Sequence, residues 1–187
     1  MNFVGPTDVE GQAEIQRSRP ALPLRWLALG AGALVVQAAL VHGLARMPDG
    51  REWLPFLLPL AHVLLLPFLL RNLSFWGMRL ILLGLLLNLT VMAANGGLMP
   101  VEASAVEAVG RHQAGELQLG SAVPGSKNVF LLREDVRLRG LSDIVVLPVP
   151  RPFTRAVSVG DFFVLAGVAV AYAEVVRRNA FWKSPRR

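Results

Sequence analysis

Leu80-Ile-Leu-Leu-Gly84-Leu-Leu-Leu-Asn88-Leu-Thr90-Val-Met-Ala-Ala-Asn95-Gly96-Gly97-Leu-Met-Pro100 is the stretch whose reading decides the fold. The run is too long and too apolar for a surface helix, which would carry polar residues over half its circumference. It ends abruptly at Asn95-Gly96-Gly97 and Pro100, so it reads as a membrane span with its stop signal attached. Extended back to Phe75, it places Gly77, Gly84, Asn88 and Asn95 on one helical face. That small and polar seam is expected to face protein, leaving the leucines for lipid.

Three more apolar runs accompany it. Trp26 to Ala45 is a first span of the length a ~30 Å hydrocarbon core requires, bracketed by Arg25 and Arg46. Its Ala28, Gly32, Ala39 and Gly43 share a face that would let a second helix approach closely. A tight turn with Pro48 and Asp49-Gly50 leads into a second span over 53–70, where Pro59 and Pro67 each remove an amide donor and should bend the helix. Span three covers 75–94. A fourth, within 158–178, opens on Ser158-Val-Gly-Asp161, a capping-box pattern. Here Gly167 pairs with Ala171 as a small-residue packing step, and Glu174 is within reach of Arg177 or Arg178.

Outside the spans lie a polar tail at 1–21, with a short helix expected near 8–17, a segment at 95–157, and a basic tail at 179–187. Pro100 to Val109 is expected to form a short helix ending at Gly110. Val129 to Leu147 fits either a strand pair or a surface-lying amphipathic segment. The apolar content of 95–157 is too low for an independent core, so this piece should fold against the bundle. The resulting fold class is an all-α integral membrane protein, with four transmembrane helices and a mostly irregular, outward-facing loop cap.

Composition agrees. Of 187 residues, 53% are hydrophobic, and mean hydropathy is +0.49. The net charge of +6 comes from basic residues that flank apolar runs, as topology demands, so no nucleic-acid partner is predicted. Ten Lys and Arg lie on the side of the termini, against Arg46 and Arg51 in the opposite short turn. Both termini are therefore predicted to be cytoplasmic, in a multi-pass protein of the cytoplasmic membrane. Cysteine is absent, which excludes disulfides and thiolate chemistry.

Several of these motifs resemble, in order, those of an uncharacterised bacterial membrane-protein family, domain of unknown function 5317. They are the Asn95-Gly-Gly-Leu-Met-Pro100-Val exit, Ser126-Lys127-Asn128, the Leu141-Ser-Asp143-Ile144 to Leu147-Pro148 run, and Val157-Ser-Val-Gly-Asp161. The resemblance covers roughly residues 22–176. It implies the layout above and carries no activity, so no catalytic residue follows from it.

One candidate site emerges from depth. Counting ~1.5 Å per residue from span centres, Gln37, His62 and Asn88 fall within about 5 Å of the midplane. Polar groups at that depth face the bundle interior, where they serve interhelical hydrogen bonds or contact a ligand. The three histidines share no metal-ligand spacing, and no nucleophile elbow or phosphate loop occurs where it could work. Enzymatic chemistry is poorly supported. Helix packing is assigned to Gly32, Gly43, Gly77, Gly84, Asn88, Gly167 and Ala171. The function expected from these features is an accessory or assembly subunit of a larger, energy-transducing membrane complex, with the lipid bilayer and other membrane subunits as partners. The alternative is a lipophile-binding, quinone-binding or transport protein built on Gln37, His62 and Asn88. No resident cofactor is predicted, although bound lipid is expected and a quinone suits that layer.

Overall fold

A computed structural model describes residues 24–110, 112–150 and 154–183; the helix expected near 8–17 lies outside them. Among the described residues, four helical stretches are long and apolar enough to cross a membrane: Leu27–Arg46, Leu54–Arg71, Trp76–Ala94 and Val159–Arg178. The protein is a multi-pass membrane protein. In chain order its elements are α1 (Leu27–His42), α2 (Pro48–Arg51), α3 (Leu54–Val63), α4 (Leu66–Arg71), α5 (Trp76–Ala94), β1 (Met99–Val101), α6 (Ala103–Val109), β2 (Asn128–Phe130), β3 (Val145–Val146), β4 (Ala156–Val157) and α7 (Val159–Lys183).

The two prolines of the second span behave differently. Pro59 sits inside α3, whereas the helix is interrupted at Leu64–Leu65, just ahead of Pro67 at the start of α4. Proline has no amide to give and is tolerated in a first turn. Asn72 closes this span by donating to the Arg25 and Phe68 carbonyls and accepting from the Arg25 amide at 2.9 Å, which ties the start of α1 to the end of α4.

The tightest helix pair is α5 with α7. Gly77 and Gly84 lie on the α5 side, so that a side chain at Gly84 would run into the Gly160 carbonyl and Val164. On the α7 side, a side chain at Gly167 would meet the Gly77 carbonyl at 2.7 Å, and Ala171 backs onto Gly77. Close backbone approach of this kind is what small residues provide between membrane helices. Asn88 belongs to the same interface and is buried. Glu174 does not pair with Arg177 or Arg178. Its carboxylate accepts from the amides of Trp76 and Gly77 at 3.1 and 3.0 Å, capping the positive end of α5.

The first span is the most peripheral, with 11% of its residues buried against 39% for α5. Its packing face is not the one expected. Gly30, against the Phe68 ring, and Ala33 turn inward, while Ala28 and Ala39 are exposed and nothing lies within 4 Å of Gly32. Gly43 ends α1, crowded only by the Ala39 carbonyl of its own helix. Small residues occur on both faces of α1, and with apolar residues all round no periodicity selects one face over the other.

The cap grows directly out of α5. Gly96 and Gly97 both adopt positive φ, which glycine alone reaches without strain, and a side chain on Gly97 would also strike the Pro55 carbonyl. Strand β1 then pairs in parallel with β2 (Met99 with Asn128, Val101 with Phe130), and β3 pairs antiparallel with β4. Helix α6 ends at Gly110 with φ 68°, its start displaced to Ala103 because Met99–Val101 is taken by the strand. Val101, Ala105, Val106, Val123 and Phe130 make a small core of the cap's own. Val129 joins Leu54, Leu58, Met92 and Met99 in a second cluster that seats the cap on the bundle.

Replacing Gly84 by Leu should lower the thermal midpoint in detergent by an amount equivalent to ~1–3 kcal/mol, the usual cost of overpacking. Leu83→Ala and Leu86→Ala, at positions 43% and 46% exposed, should change it little. The reverse pattern would place the helix contact on another face.

Candidate functional site

Helix α7 begins with a closed capping box. Ser158 Oγ accepts from the Asp161 amide at 3.0 Å, and Asp161 Oδ2 accepts from the Ser158 amide at 3.3 Å. The Ser158 hydroxyl donates to Asn88 Oδ1 at 2.8 Å, and Asn88 Nδ2 donates to Asp161 Oδ1 at 2.8 Å. The third span thus grips the first turn of the fourth through one amide side chain.

The cap adds the charge. Lys127 Nζ donates to Asp161 Oδ2 at 2.9 Å and lies 3.6 Å from Asp143 Oδ2. Asp143 Oδ2 also accepts from Asn128 Nδ2 at 2.9 Å, while the Asp143 amide donates to the Pro100 carbonyl and Asn128 reaches the Met99 carbonyl. Ser126 Oγ donates to Asn128 Oδ1. The two strands of the small parallel sheet therefore hold Asn128 and Asp143 in register for Lys127. The Asp143 side chain is 1% exposed, and its Oδ1 has no hydrogen-bond partner among the described residues.

Burial pushes the Asp143 carboxyl up to about 6, against the pull of the Lys127 ammonium. Burial also opposes charge on Lys127, but the two aspartates outweigh it and hold that group above its ordinary range. At neutral pH the cluster is thus one ammonium between two carboxylates, a net negative unit at the junction of bundle and cap.

The cluster forms one wall of a cavity of about 450 Å³. Leu34, Gln37, Ala38 and Val41 of α1 line it on the membrane side, and Val106 and Val123 on the cap side. Arg155, an exposed residue, and His112, whose Nε2 lies 3.2 Å from the Pro124 carbonyl, also contribute. The volume is in the range of small-molecule sites, which combine mostly apolar linings with a few convergent polar groups.

The three residues of the expected midplane layer have separate partners. Gln37 donates to the Ala61 carbonyl at 3.2 Å and lines the cavity. His62 Nδ1 is 2.7 Å from the Leu58 carbonyl of its own helix and is not a lining residue. Asn88 belongs to the Asp161 cluster. Lys127, Asp143 and Ser158 were not singled out as site residues by sequence reasoning. The available signal was that each sits in one of the motifs carrying the family resemblance; for Lys127 and Asp143 no span or turn accounts for the motif, whereas Ser158 reads as a helix cap.

The raised Asp143 carboxyl has a measurable consequence. Between about 6 and the ordinary 3.8, the folded state binds a proton that the unfolded chain does not. Stability from this group therefore increases as pH falls through that window and is lost again as pH rises. On acidification from about pH 7 to about pH 4.5, the midpoint of the native protein should rise relative to that of Asp143→Asn. A pH-independent difference would mean that Asp143 titrates as an ordinary aspartate.

No curated protein and no solved structure matches this chain. The profile of one family, described as a family of unknown function (DUF5317), matches residues 21–173. That region contains the three spans α1, α3–α4 and α5, the whole cap, the Lys127–Asp143–Asp161 cluster and most of α7. The chain belongs to the family of unknown function DUF5317.

Proposed function

We propose that this protein binds an amphiphile in the cavity between its first span and its cap, with the ligand's polar end at the Lys127–Asp143–Asp161 cluster and its apolar body along α1. The observation that carries this is the cavity itself, apolar where α1 meets the membrane and charged where the cap meets the bundle. The peripheral position of α1 supports entry from the bilayer, since Leu34, on the lining, is 58% exposed. A quinone or another lipid-soluble molecule with a compact polar head fits this description. The distribution of basic residues supports a cytoplasmic-membrane protein with both termini inside and the cap outside.

A second function, an accessory or assembly subunit of an energy-transducing complex, is favoured by one observation. The exposed Ala28, Gly32 and Ala39 face of α1 offers close backbone approach to a helix that none of the described residues supplies.

One measurement separates the two. Extracted in a mild detergent and weighed by native mass spectrometry, the native protein should carry a small-molecule adduct. Ala38→Trp, which fills the cavity, should lose it, and Val35→Trp, on the lipid side of the same helix, should keep it. A protein chain in the particle with no adduct sensitive to Ala38→Trp would defeat the amphiphile proposal and favour the subunit one. Orientation is checked with Gln12→Cys and Gln118→Cys in this cysteine-free chain. An impermeant thiol reagent applied to intact cells should label position 118 alone, and labelling at position 12 alone would invert the topology.

A further inference from the structure

The end of the bundle opposite the cap gathers guanidinium groups with little countercharge. We infer that this end binds the phosphate of a net-anionic phospholipid, at a site apart from the cavity and built by Arg79 of α5 and Arg178 of α7. Both side chains are fixed by the turn between α4 and α5. Arg79 Nε donates to the Leu73 carbonyl at 2.7 Å, and its guanidinium carbon lies 4.4 Å from the centre of the Trp76 ring. Arg178 Nη2 donates to the Ser74 carbonyl at 3.4 Å, and its guanidinium carbon lies 3.9 Å from the centre of the Phe75 ring. Two arginines from different helices thus hold consecutive carbonyls, each laid on one of two adjacent aromatic residues. A guanidinium carries five N–H donors, so most of each fork remains available to a ligand.

The surroundings add positive charge. Arg25, Arg71 and Arg177, all exposed, stand at the same end, Arg25 brought there by the Asn72 side chain. Among the described residues, none of the five arginines forms a salt bridge. The one carboxylate of that end among those residues, Glu174, is taken up by the Trp76 and Gly77 amides. Guanidiniums placed this way repel one another, and a phosphate between Arg79 and Arg178 offsets that repulsion while accepting from both planar forks. Depth selects a lipid over a soluble anion. Trp76, at the start of α5, is 64% exposed, an aromatic ring where an apolar span meets the head groups. Arg79 lies nearly one turn further into the span and reaches back to Leu73, as a basic side chain does when it brings its charge to head-group level. Basic clusters between membrane helices bind anionic lipid heads. A zwitterionic head would bring its own cation among five arginines, so net negative charge is selected.

The test places the full chain in non-ionic detergent micelles containing equal amounts of dioleoyl phosphatidylglycerol and dioleoyl phosphatidylcholine, and native mass spectrometry reads the ratio of the two lipids retained. The native protein should retain phosphatidylglycerol in clear excess. Arg79→Gln with Arg178→Gln should lower that preference at least ~10-fold, the order expected for two basic residues at an anionic head. Arg133→Gln with Arg137→Gln removes the same charge from exposed positions of the cap and should leave the preference intact, as should Ala38→Trp in the cavity. Arg79→Lys with Arg178→Lys keeps the charge without the planar fork and should lose most of the preference. Equal retention of both lipids by the native protein overturns the inference, and this comparison stands even where a variant does not fold. It is equally overturned if the lysine pair keeps the full preference, which would mean diffuse charge alone. Loss of the preference in the cap pair or in Ala38→Trp would place the lipid elsewhere and overturn it too. Displacement of phosphatidylglycerol by inorganic phosphate at matched concentration would assign the arginines to a soluble anion instead.

Discussion

The Asp161 carboxylate is the contact on which the arrangement of bundle and cap depends. It stands in the first turn of α7, where the helix dipole favours an anion, and it accepts from three directions: the Ser158 amide, Asn88 of α5 and Lys127 of the cap. Each partner comes from a different part of the chain, so this one side chain fixes where the fourth span starts, how it faces the third, and where the loop at 126–128 must sit. Charges in such a place are not a cheap source of stability. Removing an ion from water costs several kcal/mol even after relaxation, and attraction to a partner returns that only when the geometry is good and the remaining atoms are satisfied. Asp161 meets that condition with hydrogen bonds on both oxygens. Asp143, with Oδ1 unpartnered, does not, and the unequal treatment of two carboxylates on one lysine marks the place where the structure gives up stability.

The glycine seam below this cluster solves a complementary problem. Within a bilayer, apolar side chains gain little by leaving lipid for protein, so helices associate where backbones can approach and polar groups can be shared. Gly77 and Gly84 against Gly160, Gly167 and Ala171 provide the approach, while Asn88 and Glu174 provide shared hydrogen bonds at the two ends of the same interface. The two polar contacts bracket the seam. Asn88 reaches the start of α7, and Glu174, far along α7, reaches the start of α5. Sliding one helix along the other would break both contacts, so the register of the pair is set at two points.

How much of this was legible in the sequence follows from what kind of signal each feature leaves. The four spans are written in long apolar runs and their flanks, and the Gly77–Gly84–Asn88 face in a spacing that one helix makes explicit. The capping box at Ser158 is local and was likewise readable. Features involving two distant segments left less. The parallel pairing of Met99–Val101 with Asn128–Phe130 joins three-residue strands nearly thirty positions apart, too short to show a period and with no turn between them to announce a hairpin. The role of Glu174 was misread because arginines three and four residues on offered a nearby partner, whereas the amides of Trp76 and Gly77 are close only in space. In α1, apolar all round, small residues mark two faces, and only the position of Phe68 decides which turns inward.

The site was half legible for the same reason. A depth count in separate helices groups residues by height and ignores azimuth, so it placed Gln37, His62 and Asn88 in one layer that their actual partners divide. What the residues did offer was two polar motifs, at 126–128 and 141–143, that neither a span nor a turn explained, and a third, at 158–161, that reads as a helix cap. The fold converts that residue of unexplained polarity into one object, because β1 carries the neighbours of Asn128 and Asp143, while the capping box carries Asp161, to a common point against Lys127. An ionic cluster serving architecture alone would be expected to satisfy its atoms internally and to exclude space around itself. This one leaves a carboxylate oxygen bare and borders a cavity of about 450 Å³ whose other wall is the least packed helix of the bundle. The neighbouring void and its lipid-facing wall are the features on which the proposed binding of a membrane-borne molecule rests.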